Sequence, residues 1–162
     1  MSRRPRAGRR VAGAAGPASL RAAGAARPAS LRAAGDPGAM ARAAAREALL
    51  ALRCGRLEVE VVVATSRESA RLNRLHLGRS GPAEVLSFAA PPAEPGGPIG
   101  EVVICPDHIR RKAARLGYGW RRRLDELAVH GTLHLMGWHH AGPEAEAAMF
   151  AVQRAVLARL GV

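Results

Sequence analysis

From residue 41 to the end of the chain, the spacing of apolar positions alternates between helix and strand periods. ARAAAREALLALRC (41–54) carries an apolar stripe at helical spacing and stops at Gly55. LEVEVVVA (57–64) alternates, then runs apolar and β-branched, which predicts a strand. TSRESARLNRLHLG (65–78) opens with Thr65 or Ser66 followed by Glu68, the pattern of a capping box. It closes on Gly78, so a helix is predicted. EVLSFA (84–89) reads as a short strand, PPAEPGGP (91–98) as a loop, and IGEVVICP (99–106) as a strand ended by Pro106. PDHIRRKAARLG (106–117) has proline at its start and glycine at its end, the usual punctuation of a helix. WRRRLDELAVHGTLHLMG (120–137) predicts a helix with Leu124, Leu127, Ala128 and Leu135 inward, and PEAEAAMFAVQRAVLARLG (143–161) a final amphipathic helix. The interleaving predicts one α+β (or α/β) domain over 41–162. It would be a small mixed sheet of about three to four strands packed with about five helices.

Residues 1–40 break this pattern. They are rich in Ala, Gly, Arg and Pro and repeat PASLRAAG at 17–24 and 28–35. So little apolar surface predicts a disordered basic extension. Two other readings stand beside it: an RNA-binding arm, or translation that starts at Met40.

Composition narrows the picture further. Apolar residues make up 48% of the chain, which suits a packed core, and aromatics only 3%. The net charge of +12 favours polyanionic partners. Eight arginines and one acid fall in residues 1–40, so the folded part is only moderately basic. Cys54 and Cys105 suggest buried thiols in a reducing cytoplasm, not a disulfide framework. No apolar run reaches the length of a membrane span, and no secretory signal is evident.

The chemistry is concentrated in HGTLHLMGWHH, residues 130–140. Residues four apart share a helix face, so His130 and His134 can reach one ion. Gly137 stops the helix and lets the chain reverse, bringing His140 as a third ligand. Three imidazoles with an open position form the layout of a catalytic zinc site at a helix end. Zinc there lowers the pKa of bound water to about 7 and polarises a bound oxygen. Gly131 is read as leaving space for substrate beside the first ligand. The spacing also matches a zinc protease pattern, but that chemistry needs Glu directly after the first His, where this chain has Gly131.

HGTLHLMGWHH resembles the HGxLHLxGxDH signature of YbeY-type bacterial endoribonucleases. LN at 72–73, GRSGPAEVLSF at 78–88, GEVVICP at 100–106 and a closing helix with Met149 follow in the same order. The resemblance covers residues from about 41 to 162. It implies a zinc-dependent, single-strand-specific endoribonuclease with one zinc per chain. Such an enzyme acts in ribosomal RNA maturation, including the 3′ end of small-subunit rRNA, and in ribosome quality control. Single-stranded RNA, rRNA and the ribosome are the implied partners, in the cytoplasm, with neither membrane nor DNA.

Several positions depart from that family's pattern. His139 stands where the family has Asp, and it competes with His140 for the metal; both patterns place the ligand at His140. Pro82, Ala83 and Glu84 replace Pro-Thr-Asp. Leu77 stands where the family carries an arginine that could hold a phosphate, and Arg74 and Arg79 are the nearest replacements. No counterpart of the family's first strand precedes Ala41.

Asn73 and Ser87 match family positions near the site, although each can equally brace a turn or a sheet edge. Glu84 is a candidate to orient a metal-bound histidine, or else an exposed strand-start acid. The run Arg110, Arg111, Lys112, Arg115, Arg121, Arg122 and Arg123 is either a solvated face or a grip on an RNA backbone. Trp120 and Trp138 read as packing residues, with Trp138 also placed to stack on a base. No separate general base is assigned. Two rival functions remain: a zinc metallopeptidase-like hydrolase, and a catalytically impaired RNA- or ribosome-binding protein.

Overall fold

A computed structural model describes residues 35–90 and 97–162. The readings for most of the basic extension, and for most of the 91–98 loop, lie outside these residues. Eight elements follow in the order α1 (Pro37–Ala51), β1 (Glu60–Val63), α2 (Ser66–Leu77), β2 (Val85–Ala89), β3 (Gly100–Ile104), α3 (Pro106–Leu116), α4 (Trp120–Leu135) and α5 (Pro143–Leu160). The three strands form a mixed sheet in the order β1-β3-β2, with β1 parallel and β2 antiparallel to β3. The α+β architecture expected from the sequence is the one observed.

β3 is the hinge of the packing because it is buried on both faces. Val102 and Ile104 point into the larger core, which gathers Leu124, Val129 and Leu133 of α4, Ile109 of α3, Met149 and Val156 of α5 and the alanine face of α1. Val103 points the other way, to a smaller core with Leu72 of α2 and Leu86 of β2. The sheet is therefore a middle layer, with α2 on one side and the other helices on the opposite side.

Boundaries differ from the sequence reading where long-range pairing decides them. α1 begins at Pro37, with Asp36 as its cap accepting a bond from the Gly38 amide at 3.0 Å. The helix thus takes in residues that the pattern assigned to the extension. β1 is shorter than 57–64 because its partner β3 begins only at Gly100. Single backbone bonds (Ile99 N–H to Glu58 O and Ala64 N–H to Ile104 O, each 2.8 Å) prolong the pairing at both ends. In α2 the cap is Thr65, not Ser66, and it exchanges bonds with Glu68 in both directions. Among the described residues no strand precedes α1.

α4 packs closely on the sheet at Gly131. A Cβ at that position would stand 2.7 Å from Ser87 Oγ and 3.0 Å from Val102 Cγ1. Gly131 therefore admits the sheet, not a substrate, and the sequence-based explanation for it is corrected. Gly131→Ala is expected to destabilise the protein by about 1–3 kcal/mol through overpacking. Thermal unfolding should record the loss, and adding Ser87→Gly should restore part of it. An unchanged melting temperature in the single variant would disprove the close-approach account.

Candidate metal centre

α4 carries two of the three converging rings. His130 and His134 are one turn apart on it, and their Nε2 atoms come within 3.0 Å. The helix ends at Leu135, and Gly137 turns the chain at φ +87°, a conformation glycine adopts at least cost. The returning chain puts His140 Nε2 3.4 Å from His130 Nε2. One nitrogen from each of the three histidines lies within 4.8 Å of the others. Tetrahedral coordination at about 2.0–2.1 Å would place ligand nitrogens about 3.3 Å apart, so the donor set fits a single zinc-sized cation. His130 and His134 are partly buried and His140 is exposed, so the group opens to solvent on the His140 side.

The outer nitrogens are held as a metal site requires. His130 Nδ1 lies 3.0 Å from Gln153 Oε1 on α5, and His134 Nδ1 lies 2.7 Å from the Trp138 carbonyl. With protons on both Nδ1 atoms, the Nε2 lone pairs face inward. His140 Nδ1 has a looser neighbour, Glu146 Oε1, at 3.9 Å. Burial depresses the pKa of His130, as do His140 and Arg123, against the Gln153 bond. Burial likewise depresses that of His134, against the bond to Trp138 and together with the neighbouring histidines. Both rings are biased toward the neutral form that binds metal.

The remaining candidates fall in different places. His139 is exposed, with its ring roughly parallel to that of His134 at 5.7 Å, and it is not in the converging group. Ser87 faces Gly131 across the helix–sheet contact. Asn73 is buried and donates from Nδ2 to the Gly81 carbonyl at 2.9 Å, bracing the loop before β2. Leu77 and Arg79 are exposed at the end of α2, and among the described residues no bond links Arg74 or Arg79 to the three rings.

Glu84 does not orient a histidine. Its carboxylate receives Lys112 Nζ at 2.5 Å and both Nε and Nη2 of Arg123 at 3.2 Å. Burial alone would raise its pKa, but the bonds and charges of Arg123 and Lys112 outweigh burial and hold it below the ordinary value. Trp120 is flanked by Arg110 and Arg121, and Trp138 packs on the larger core. The sequence reading missed Gln153. Its signal was a polar residue inside the inward stripe of α5, between Met149 and Val156.

Replacing Gln153 by Leu removes the acceptor that sets the His130 ring. Metal affinity is expected to fall about 10–100-fold, the usual cost of losing such a partner. Competition against a chelator measures it, and equal affinity in Gln153→Leu and the parent would refute the role given to this residue.

Comparison with known proteins gives a consistent result. Residues 38–161 match the family described as Endoribonuclease YbeY. A protein named Endoribonuclease YbeY from Frankia alni is 37% identical over 128 residues, spanning 72% of this chain and 71% of its own. The protein of that name from Thermobifida fusca is 37% identical over 132 residues, spanning 76% and 84%. The solution structure of TM1509 from Thermotoga maritima superposes with a TM-score of 0.55 at 25% identity, covering 76% of this chain and 82% of that one.

Proposed function

The chain belongs to the endoribonuclease YbeY family, and from that premise we propose a metal-dependent endoribonuclease that cuts single-stranded RNA, with His130, His134 and His140 as the metal ligands. The observation that carries the reading is the convergence of three Nε2 atoms on one point open to solvent. Zinc is the metal proposed, because an all-imidazole set suits it best among the available ions. The substrate proposed is ribosomal RNA, in precursor or ribosome-bound form, with the cytoplasm as the place of action. In the described residues no helix is long and apolar enough to cross a membrane. The residues from α1 onward would form the hydrolase unit, and the segment before it a basic extension.

A metal bound there would supply a Lewis acid for a phosphate oxygen and a means of activating water at neutral pH. The chain's own residues do the positioning. Gln153 and the Trp138 carbonyl fix two rings, and Gly137 brings back the third. Solvent access at His140 leaves room for a backbone phosphate to approach. The peptidase alternative loses support from the fold: the position after His130 points at Ser87 and Val102, so a glutamate base there would collide with the sheet.

The test pairs metal content with cleavage, using the full chain and single-stranded ribosomal RNA. About one zinc per chain is expected, with cleavage abolished by chelator and restored by zinc. His134→Ala should lose at least about 100-fold in rate, since it removes a ligand and with it the metal's contribution. Metal-independent cleavage, or full activity in His134→Ala, would overturn the proposal.

A further inference from the structure

Beyond the histidines, a charged groove of about 630 Å³ lies between the end of α3 and the start of α4, lined by Lys112, Leu116, Tyr118, Gly119, Arg122, Arg123 and Glu126. We propose that it is the second anchor of the RNA strand, holding backbone phosphates at a fixed distance from the three-histidine site. This rests on the endoribonuclease reading and adds where the substrate lies.

Three observations carry the inference. First, the groove reaches the helix face of the metal centre through Arg123, with Arg122 on the adjoining shoulder about 80° from His130. At 100° per residue, Arg123, His130 and His134 lie within about 40° of one another around α4. Arg123 and His130 are two turns apart, about 10.5 Å along the axis. That matches about three stacked nucleotides at 3.4 Å each.

Second, the groove offers both kinds of contact that a nucleotide needs. Lys112 and Arg122 present cations, and the partly exposed Tyr118 ring offers a surface for a base. A simple anion has no use for the ring. An acidic peptide does not explain the alignment with the histidines.

Third, the charge is built in place. Arg123 is clamped by Glu84 on one side and by Glu126, at 3.3 Å, on the other. Lys112 shares Glu84, and Arg122 bonds Glu126 at 3.2 Å. Three cations against two acids leave the groove positive. The acids act as braces that hold the guanidinium planes in position, which lowers the entropy lost on binding a phosphate.

The test is RNA binding and cleavage by the full chain with Arg122→Glu and with Lys112→Gln. Arg122 is two-thirds exposed, so its replacement leaves the core intact. Arg123 is left in place because its loss would strand Glu84. Arg56→Glu, on the loop before β1, makes the same charge change away from α4. Binding of a single-stranded oligonucleotide is read by anisotropy across a salt series with chelator present, and cleavage across a ladder of RNA lengths.

We expect Arg122→Glu to weaken binding about tenfold at low salt and to reduce the slope of log affinity against log salt by about one, as for one lost phosphate contact. Arg56→Glu should do neither. In cleavage, the loss should appear in KM more than in kcat and grow with RNA length until the strand spans both sites. Equal salt slopes in parent and groove variants would overturn the inference, as would a loss independent of RNA length. If the parent cuts no RNA, the endoribonuclease reading falls by itself, and the binding series alone decides the groove.

Discussion

The approach of α4 to the sheet at Gly131 is the contact on which the rest is arranged. With no side chain at that position, the helix settles against Ser87 and Val102. Neighbouring helix positions are about 100° apart, so the residue before Gly131 lies about 100° around the helix from the sheet contact, and the one a turn later lies about 60° from it on the same side. Those residues are His130 and His134. The contact that seats the helix therefore also aims the two rings. α5 then packs beside α4 and delivers Gln153 to His130, while the turn after α4 delivers the Trp138 carbonyl to His134. Core packing and ring orientation are two results of one helix placement.

Electrostatics divides α4 into two ends. Its first turns carry Arg122 and Arg123, tied to Glu84 and Glu126. Its last turns carry imidazoles that burial biases toward the neutral form. Burial opposes charge at both ends, and partners decide the result. Glu84 is held toward its ionised form because two cations meet it, whereas among the described residues the bonds of the His130 and His134 Nδ1 atoms go to Gln153 and the Trp138 carbonyl, not to a carboxylate. An amide oxygen and a backbone carbonyl hold them instead. Those neutral acceptors fix the rings without neutralising the charge of an incoming cation.

The sequence made the local features legible and left the long-range ones hidden. The spacing of His130 and His134, the turn at Gly137, the Thr65–Glu68 cap and the order of the elements all follow from residues close together in the chain. Gln153 and Glu84 depend on which helices meet, and no local pattern reports that. Glu84 is a candidate partner for the histidines because metal-bound imidazoles commonly donate to a carboxylate, but its charge partners come from α3 and α4. Gly131 was misread for a related reason. Being next to a ligand in sequence suggested a place beside the substrate, yet on a helix the adjacent position faces another way. The short β1 and the early start of α1 belong to the same class: a ladder partner set one boundary and the Asp36 cap the other.

Leu77 stands where the resemblance implies an arginine, and under the proposed function that arginine's charge would be supplied elsewhere in the fold. Leu77 lies exposed at the end of α2, where a side chain is free to move. The guanidinium whose charge is felt at His130 is that of Arg123, which sits on the same helix as His130 and is braced by two carboxylates. A cation on α2 would depend on how α2 docks against the opposite face of the sheet. A cation on α4 is tied to the metal ligands by the helix backbone itself, with no intervening interface. Under the proposed function, moving the phosphate-binding charge onto α4 exchanges adaptability for a fixed distance, and a fixed distance is what an enzyme needs to place one particular phosphate beside its metal.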